Sequence, residues 1–272
     1  MVEQWTENPR VGGSNPPPGI IFVIYPIAMS STVGTLFGLS VGTGDPELIT
    51  LKALHRLQQT PIVAFPAGVN QQPGIAEKII TPWLQAGQKT LALSFPYVQD
   101  EAVLQQAWEK AARQVWQFLN QGEDVAFACE GDVHFYSTFT YLSQTLSTHY
   151  PAAIIKTIPG VCSPMATVAA LGIPLTTRRQ KLAILPALYS LTELEEVLSW
   201  AEVVVLMKVS AVYPQVWQLL AKHHLLQQAA VVEWASLPNQ VIYRNLQQYP
   251  QLNLSYFSLL VITTDSTRLN TD

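Results

Sequence analysis

Short, nearly uninterrupted apolar runs alternate with longer amphipathic segments through the first half of this chain, and that alternation leaves few folds open. TLFGLSVG, PIVAF, KTLALSF, DVAFACE and AIIKTIPG read as strands, while PELITLKALHRLQQ and EAVLQQAWEKAARQVWQFLNQ between them read as helices. Strands separated by crossover helices pair in parallel, and a parallel sheet is covered on both faces. The apolar continuity of the runs agrees, because a strand buried on both faces has no polar side to show.

After about Pro164 the strand-like runs are KLAILPA, AEVVVLMK, AAVVEWA, QVIY and YFSLLVI. The last three are joined by connections too short for crossover helices, which predicts a mixed or antiparallel sheet. The expected fold class is therefore α/β with two α/β domains: an N-terminal parallel sheet with helices on both faces over residues 35–163, and a C-terminal mixed sheet over 164–265. Residues 1–34 contain the turn-rich VGGSNPPPG and are expected to be a disordered or non-native extension, with Met29 as a candidate natural start. IIFVIYPIAM is too short to span a bilayer. Glu3 and Glu7 offset Arg10, and the prolines precede the apolar run, which argues against a secretory leader.

Composition narrows the partners. Of the 272 residues, 49% are hydrophobic and only 12% charged, which favours an oligomer, and the net charge of −4 provides no basic field for nucleic acid. An anionic ligand would have to meet local cations. Cys129 and Cys162 lack the spacing of a zinc site or a disulfide framework, so both are expected to be reduced, buried thiols of a cytoplasmic protein, with no bound metal. Neither a membrane nor a nucleic acid is an expected partner.

Four turns stand at the carboxyl ends of strands, where open α/β sheets bind ligands. In VGTGDPEL, Gly42 and Gly44 permit close backbone approach and Pro46 suits the first turn of a helix, but neither a dinucleotide fingerprint nor a P-loop is present, and a plain strand-to-helix turn stays open. In CEGDVHFYSTF, Glu130 and Asp132 either counter a cationic ligand or cap the helix that begins near Ser137 and Thr138. IPGVCSPMATVAALGIPL places Pro-Gly before a helix over 163–171, and VVVLMK leaves Met207 and Lys208 at a strand end, read as core filler and a solvated cation when taken alone. No Ser-His-Asp or Cys-His constellation accompanies these turns. His134 is a possible proton carrier, with a surface residue as the alternative.

In their order and spacing, VGTGDPELITLKA, CEGDVHFYSTF, IPGVCSPMATVAALGIPL and VVVLMK resemble the tetrapyrrole methylase family, the class III S-adenosylmethionine-dependent methyltransferases. EGDVHFYSTFTYL, QKLAILPA, VLMKVSAVYPQVWQLL and YFSLLVI are most similar to the branch that methylates C20 of precorrin-2. The resemblance runs from about Thr35 to Ile262. It implies a homodimer whose methyl donor, S-adenosylmethionine, lies in a cleft between the two domains, and a tetrapyrrole acceptor, precorrin-2 or its cobalt form. Carried over singly, the donor-binding positions are Thr43, Glu130, Gly131, Asp132, Phe135, Cys162, Ser163, Met207 and Ala235, with Asp45 near the acceptor. Arg178 and Arg179 in TTRRQK form the best cationic cluster for acceptor carboxylates, a solvated turn being the alternative. A different acceptor within the family, or a noncatalytic nucleotide-like binder, are the other readings. The chain departs from the family's GxGxGPGDP and GDP loops at three places: Ser40 replaces a glycine, and Thr43 and Val133 each replace a proline.

Overall fold

Among the described residues the apolar runs form ten strands in two sheets. A computed structural model of the chain describes residues 32–68, 72–96, 98, 100–188 and 190–263. The first sheet contains β1 (Thr35–Ser40), β2 (Ile62–Pro66), β3 (Lys89–Leu93), β4 (Val125–Cys129) and β5 (Ile154–Ile158) in the order β3-β2-β4-β1-β5, every pair parallel. Helices α1 (Leu51–Gln59) and α2 (Ile75–Ile80) cover one face, and α3 (Glu101–Leu119) and α4 (Thr138–His149) cover the other. Central β4 is buried along its whole length, as a strand with helices on both sides must be.

The second sheet contains β6 (Leu182–Leu185), β7 (Val203–Met207), β8 (Ala229–Glu233), β9 (Val241–Arg244) and β10 (Ser258–Thr263) in the order β6-β7-β10-β8-β9. β6 and β7 are parallel, whereas β10 runs antiparallel to both β7 and β8, and β9 antiparallel to β8. The sheet is mixed because the short connections after β8 cannot carry a crossover. Helix α5 (Ser163–Leu171) packs on one face, while α6 (Leu191–Leu198) and α7 (Tyr213–Lys222) pack on the other.

Three expectations need adjustment. Pro46 opens a single 3-10 turn, Pro46–Leu48, and the α-helix starts only at Leu51. Ile49 turns inward in extended conformation, 8% exposed, and the Thr50 hydroxyl caps α1 by accepting from the Ala53 N–H. The short α2 was not foreseen. Cys162 is only half-buried, whereas Cys129 is buried.

The expected N-terminal extension falls mostly outside the described residues. At its inner end Val33 packs on the core, and the Gly34 N–H donates to Leu119 O at 2.8 Å. Among the described residues no helix is long and apolar enough to cross a membrane.

Each sheet has an aromatic anchor. Phe127 on β4 is fully buried between Phe95 and Phe139, with ring centroids 6.2 and 5.7 Å away. Tyr213 on α7 is also fully buried, and its hydroxyl donates to Tyr249 O at 2.7 Å, with burial pushing its pKa up to about 12. Phe127→Ala is expected to cost about 3–5 kcal/mol, because it leaves a cavity among rigid neighbours. Tyr213→Phe should cost about 1–2 kcal/mol, because it orphans one carbonyl. Urea unfolding monitored by circular dichroism separates the two losses, and equal effects would contradict this account of the core.

Candidate functional site

The strand ends of both sheets meet around one cavity of about 220 Å³. β1 contributes Thr43, β4 leads into Glu130, Gly131 and Asp132, and the turn after β5 supplies Cys162 and Ser163 at the start of α5. From the second sheet come Met207 and Lys208 at the end of β7, then Trp234 and Ala235 after β8. Because β10 is antiparallel to its neighbours, its entry lies at this same edge, and Tyr256 and Phe257 complete the wall.

Backbone and carboxylate ties fix these loops. Gly42 and Gly131 form an isolated antiparallel bridge, Gly131 N donating to Gly42 O at 2.7 Å and Gly42 N to Gly131 O at 3.4 Å. Both have positive φ, 82° and 71°, which a side chain would disfavour. The Asp132 carboxylate accepts from the His134 N–H at 2.8 Å, the Gly160 N–H at 2.7 Å and, more weakly, the Ser40 hydroxyl at 3.4 Å. It therefore joins the end of β1 to the loops after β4 and β5. The Ser137 hydroxyl caps α4, so neither Glu130 nor Asp132 serves as that cap.

The three departures from the family's loop pattern have a structural meaning. A proline at 133 would bring no N–H, but Val133 brings one into a site where the residue is 1% exposed, and that N–H donates to Ser40 Oγ at 3.0 Å. A glycine at 40 could not accept it, so Ser40 and Val133 compensate each other. Thr43, in place of the other proline, puts its hydroxyl 2.7 Å from Ser236 Oγ, which also accepts from the Asp45 N–H at 3.3 Å. That contact ties the first loop to the turn after β8.

Electrostatics distinguish the two neighbouring titratable groups. Cys129 lies 2.8 Å from Ser137 Oγ, and burial pushes its thiol up to about 12, so it is no thiolate nucleophile near neutral pH. Glu130 is half-buried, and loss of solvent raises its carboxyl from an ordinary 4.5 to about 7. Among the described residues no ion pair involves its carboxylate. Four of the seven described non-glycine residues with positive φ, namely Tyr136, Lys208, Trp234 and Ser236, stand in or beside the cavity. Backbone strain of this kind, about 1–3 kcal/mol per residue, collects where a ligand must be held.

All nine positions carried over for the methyl donor, Thr43, Glu130, Gly131, Asp132, Phe135, Cys162, Ser163, Met207 and Ala235, line this one cavity. Asp45 does not; its carboxylate accepts from the Glu47 N–H at 2.9 Å and caps the 3-10 turn. Arg178 and Arg179 lie in an exposed turn and are absent from the lining. His134 is exposed, with its ring nitrogen 3.0 Å from Thr157 Oγ1. Sequence reasoning missed Pro66, Tyr136, Trp234, Leu237, Leu259, Tyr256 and Phe257 on the wall. The motif YFSLLVI contained the last pair, but only as the start of a strand. Among the described residues no cluster of three His, Cys, Asp or Glu is arranged to hold a metal.

Ser40→Ala should destabilise the fold by about 1–3 kcal/mol, since it leaves the buried Val133 N–H unpaired. In a double-mutant cycle followed by urea unfolding, Ser40→Gly combined with Val133→Pro should cost less than the sum of its parts. Strict additivity would contradict the pairing.

The family described as tetrapyrrole (corrin/porphyrin) methylases matches residues 35–248. Cobalamin biosynthesis protein CobIJ of Mycobacterium tuberculosis (strain ATCC 25618 / H37Rv) is 32% identical over 243 residues, covering 85% of this chain and 46% of that protein, so the chain spans about half of that relative's length. Cobalt-precorrin-2 C(20)-methyltransferase of Salmonella typhimurium is 30% identical over 230 residues, covering 84% of this chain and 96% of that enzyme. Among solved structures, the cobalt precorrin-4 methyltransferase CbiF matches with a TM-score of 0.67 at 20% identity, over 87% of this chain and 96% of the other, which shows a shared fold. Because the family model matches residues 35–248, well over half of its length, the chain belongs to the tetrapyrrole (corrin/porphyrin) methylases.

Proposed function

We propose that the protein is an S-adenosylmethionine-dependent C-methyltransferase that methylates C20 of precorrin-2, or of its cobalt-containing counterpart, in cobalamin biosynthesis, and that it works as a cytoplasmic homodimer. The observation that carries this reading is the composition of the cavity. It combines turns from both sheets, the aromatic pair Trp234 and Phe257 with centroids 4.7 Å apart, and a carboxyl, Glu130, that forms no ion pair among the described residues. The near end-to-end similarity to the Salmonella enzyme supports the choice of acceptor.

The residues present fit such a donor. When bound, S-adenosylmethionine supplies a methyl group carried on a positively charged sulfur. Glu130 would meet that positive charge electrostatically, and the Ser163 N–H at the positive end of α5, where Pro164 brings no N–H and Met165 donates to Cys162 O, would suit a carboxylate. Trp234, Phe257 and Phe135 would exclude water and hold flat rings by stacking. No side chain has to act as a nucleophile, because an electron-rich acceptor carbon attacks by itself; the protein aligns the reactants and dries the site. Asp45, outside the donor cavity but on the same loop as Thr43, is placed in this reading beside the acceptor. Arg178 and Arg179 would meet its carboxylates.

The decisive experiment is anaerobic incubation with methyl-labelled S-adenosylmethionine and either precorrin-2 or its cobalt form, with the product read by mass spectrometry and NMR. Label at C20 is expected, and the faster acceptor identifies the pathway. Donor binding without transfer to either would overturn the acceptor assignment.

Glu130 generates a pH prediction. Its folded pKa lies above the ordinary 4.5, so the group favours the ligand-free fold fully below that value and loses its contribution as pH rises through about 7. A cationic ligand favours the carboxylate and should therefore expel a proton near neutral pH. Calorimetry of S-adenosylmethionine binding in buffers of different ionisation enthalpy should reveal that release, and Glu130→Gln should abolish it. Binding with no proton release in the native protein would remove Glu130 from the cationic side of the site.

A further inference from the structure

A second cavity, sharing no lining residue with the first, opens between α1 and β5. On α1, Lys52, His55, Arg56 and Gln59 follow the i, i+3, i+4, i+7 pattern of a single helix face, and Lys156 on β5 faces the same space. Three of the chain's 15 Lys and Arg residues and one of its five His thus line one groove, with no Asp or Glu on its wall. The concentration is notable in a protein with a net charge of −4.

The charges are also uncompensated. Among the described residues Lys52, His55 and Lys156 take part in no ion pair. The Arg56 guanidinium lies over the Phe37 ring, 4.1 Å from its centroid, which fixes it at the groove wall without neutralising it. β5 is an edge strand of its sheet, so its outer backbone N–H groups add fixed donors along one side. On α1, Lys52 and Arg56 stand about one turn, roughly 6 Å, apart along the axis, and Lys156 flanks the groove from β5. Cations distributed over a helix and a neighbouring strand match a ligand with several separated anionic groups better than a single small anion.

We propose that this groove is a binding site for a multivalent oxyanion, separate from the cavity at the strand ends. Two sources share that chemistry: a polycarboxylate, such as a tetrapyrrole with acidic side chains held before or after reaction, and a polyphosphate. The proposal stands whether or not the methyl-transfer assignment does, because it is read by binding alone.

The test is calorimetric titration of the full chain with benzenehexacarboxylate and, separately, with tripolyphosphate at fixed ionic strength. In the native protein at least one probe should bind, with an affinity that falls as salt rises. Lys52→Ala with Lys156→Ala should weaken that probe tenfold or more, while S-adenosylhomocysteine binding and the melting temperature stay unchanged, since both side chains are exposed. Arg178→Ala with Arg179→Ala should leave probe binding intact. The probe that loses affinity identifies the source. Unchanged affinity for both probes in the Lys52/Lys156 variant would overturn the proposal. It would also fall if the Arg178/Arg179 variant lost binding equally, or if sedimentation showed the Lys52/Lys156 change altering self-association and not probe affinity.

Discussion

One carboxylate holds the strand-end loops in place. Asp132 accepts hydrogen bonds from the end of β1 and from the loops after β4 and β5, while the Gly42–Gly131 bridge joins the loops after β1 and β4 through the backbone. Charge-assisted bonds to a carboxylate are among the stronger ones a protein makes. A cavity floor assembled from three separate turns depends on them, because short loops otherwise have several accessible conformations. Asp132 thus faces the cavity while its oxygens are occupied in building it. Glu130, two residues earlier, is a carboxyl without such partners among the described residues.

The substitutions at 40, 43 and 133 show how a loop pattern changes without losing its shape. Replacing a proline adds a backbone N–H, and a buried N–H without an acceptor costs more than a typical hydrogen bond contributes. Ser40 supplies the acceptor for Val133. Thr43 instead exchanges rigidity within the loop for a hydroxyl contact to Ser236, across to the turn after β8. Motif matching treats these positions as independent departures, whereas in the fold two of them form a pair.

Much of the architecture was legible. Among the described residues each of the ten strands coincides with an apolar run to within a residue or two, and the central strands β1, β4, β7, β8 and β10, buried on both faces, are nearly continuous in hydrophobicity. The mixed second sheet followed from connection length. Helix α2 was not legible, because six residues are under two turns and carry no periodicity to read. The late start of α1 was hidden by a Pro46 that serves a 3-10 turn equally well. At the site, glycine-bearing and charged strand ends were visible as candidates, but Tyr256 and Phe257 were not. They reach the cavity at the entry of β10, and only the antiparallel insertion of that strand between β7 and β8 brings its entry to the edge where β7 and β8 exit.

By itself, then, the sequence determined the fold class, the strand positions and the loops that carry glycine and acidic residues, since these follow from local hydrophobicity, periodicity and turn chemistry. Tertiary structure alone decided which turns from the two sheets share a cavity, that Asp132 is consumed in tying loops while Glu130 is desolvated to a carboxyl titrating near 7, and that scattered cations on α1 and β5 face one groove. The physical reason is the same in each case. Ionisation, hydrogen-bond satisfaction and charge clustering depend on distances and solvent exclusion between residues far apart in the chain, and no local pattern encodes them.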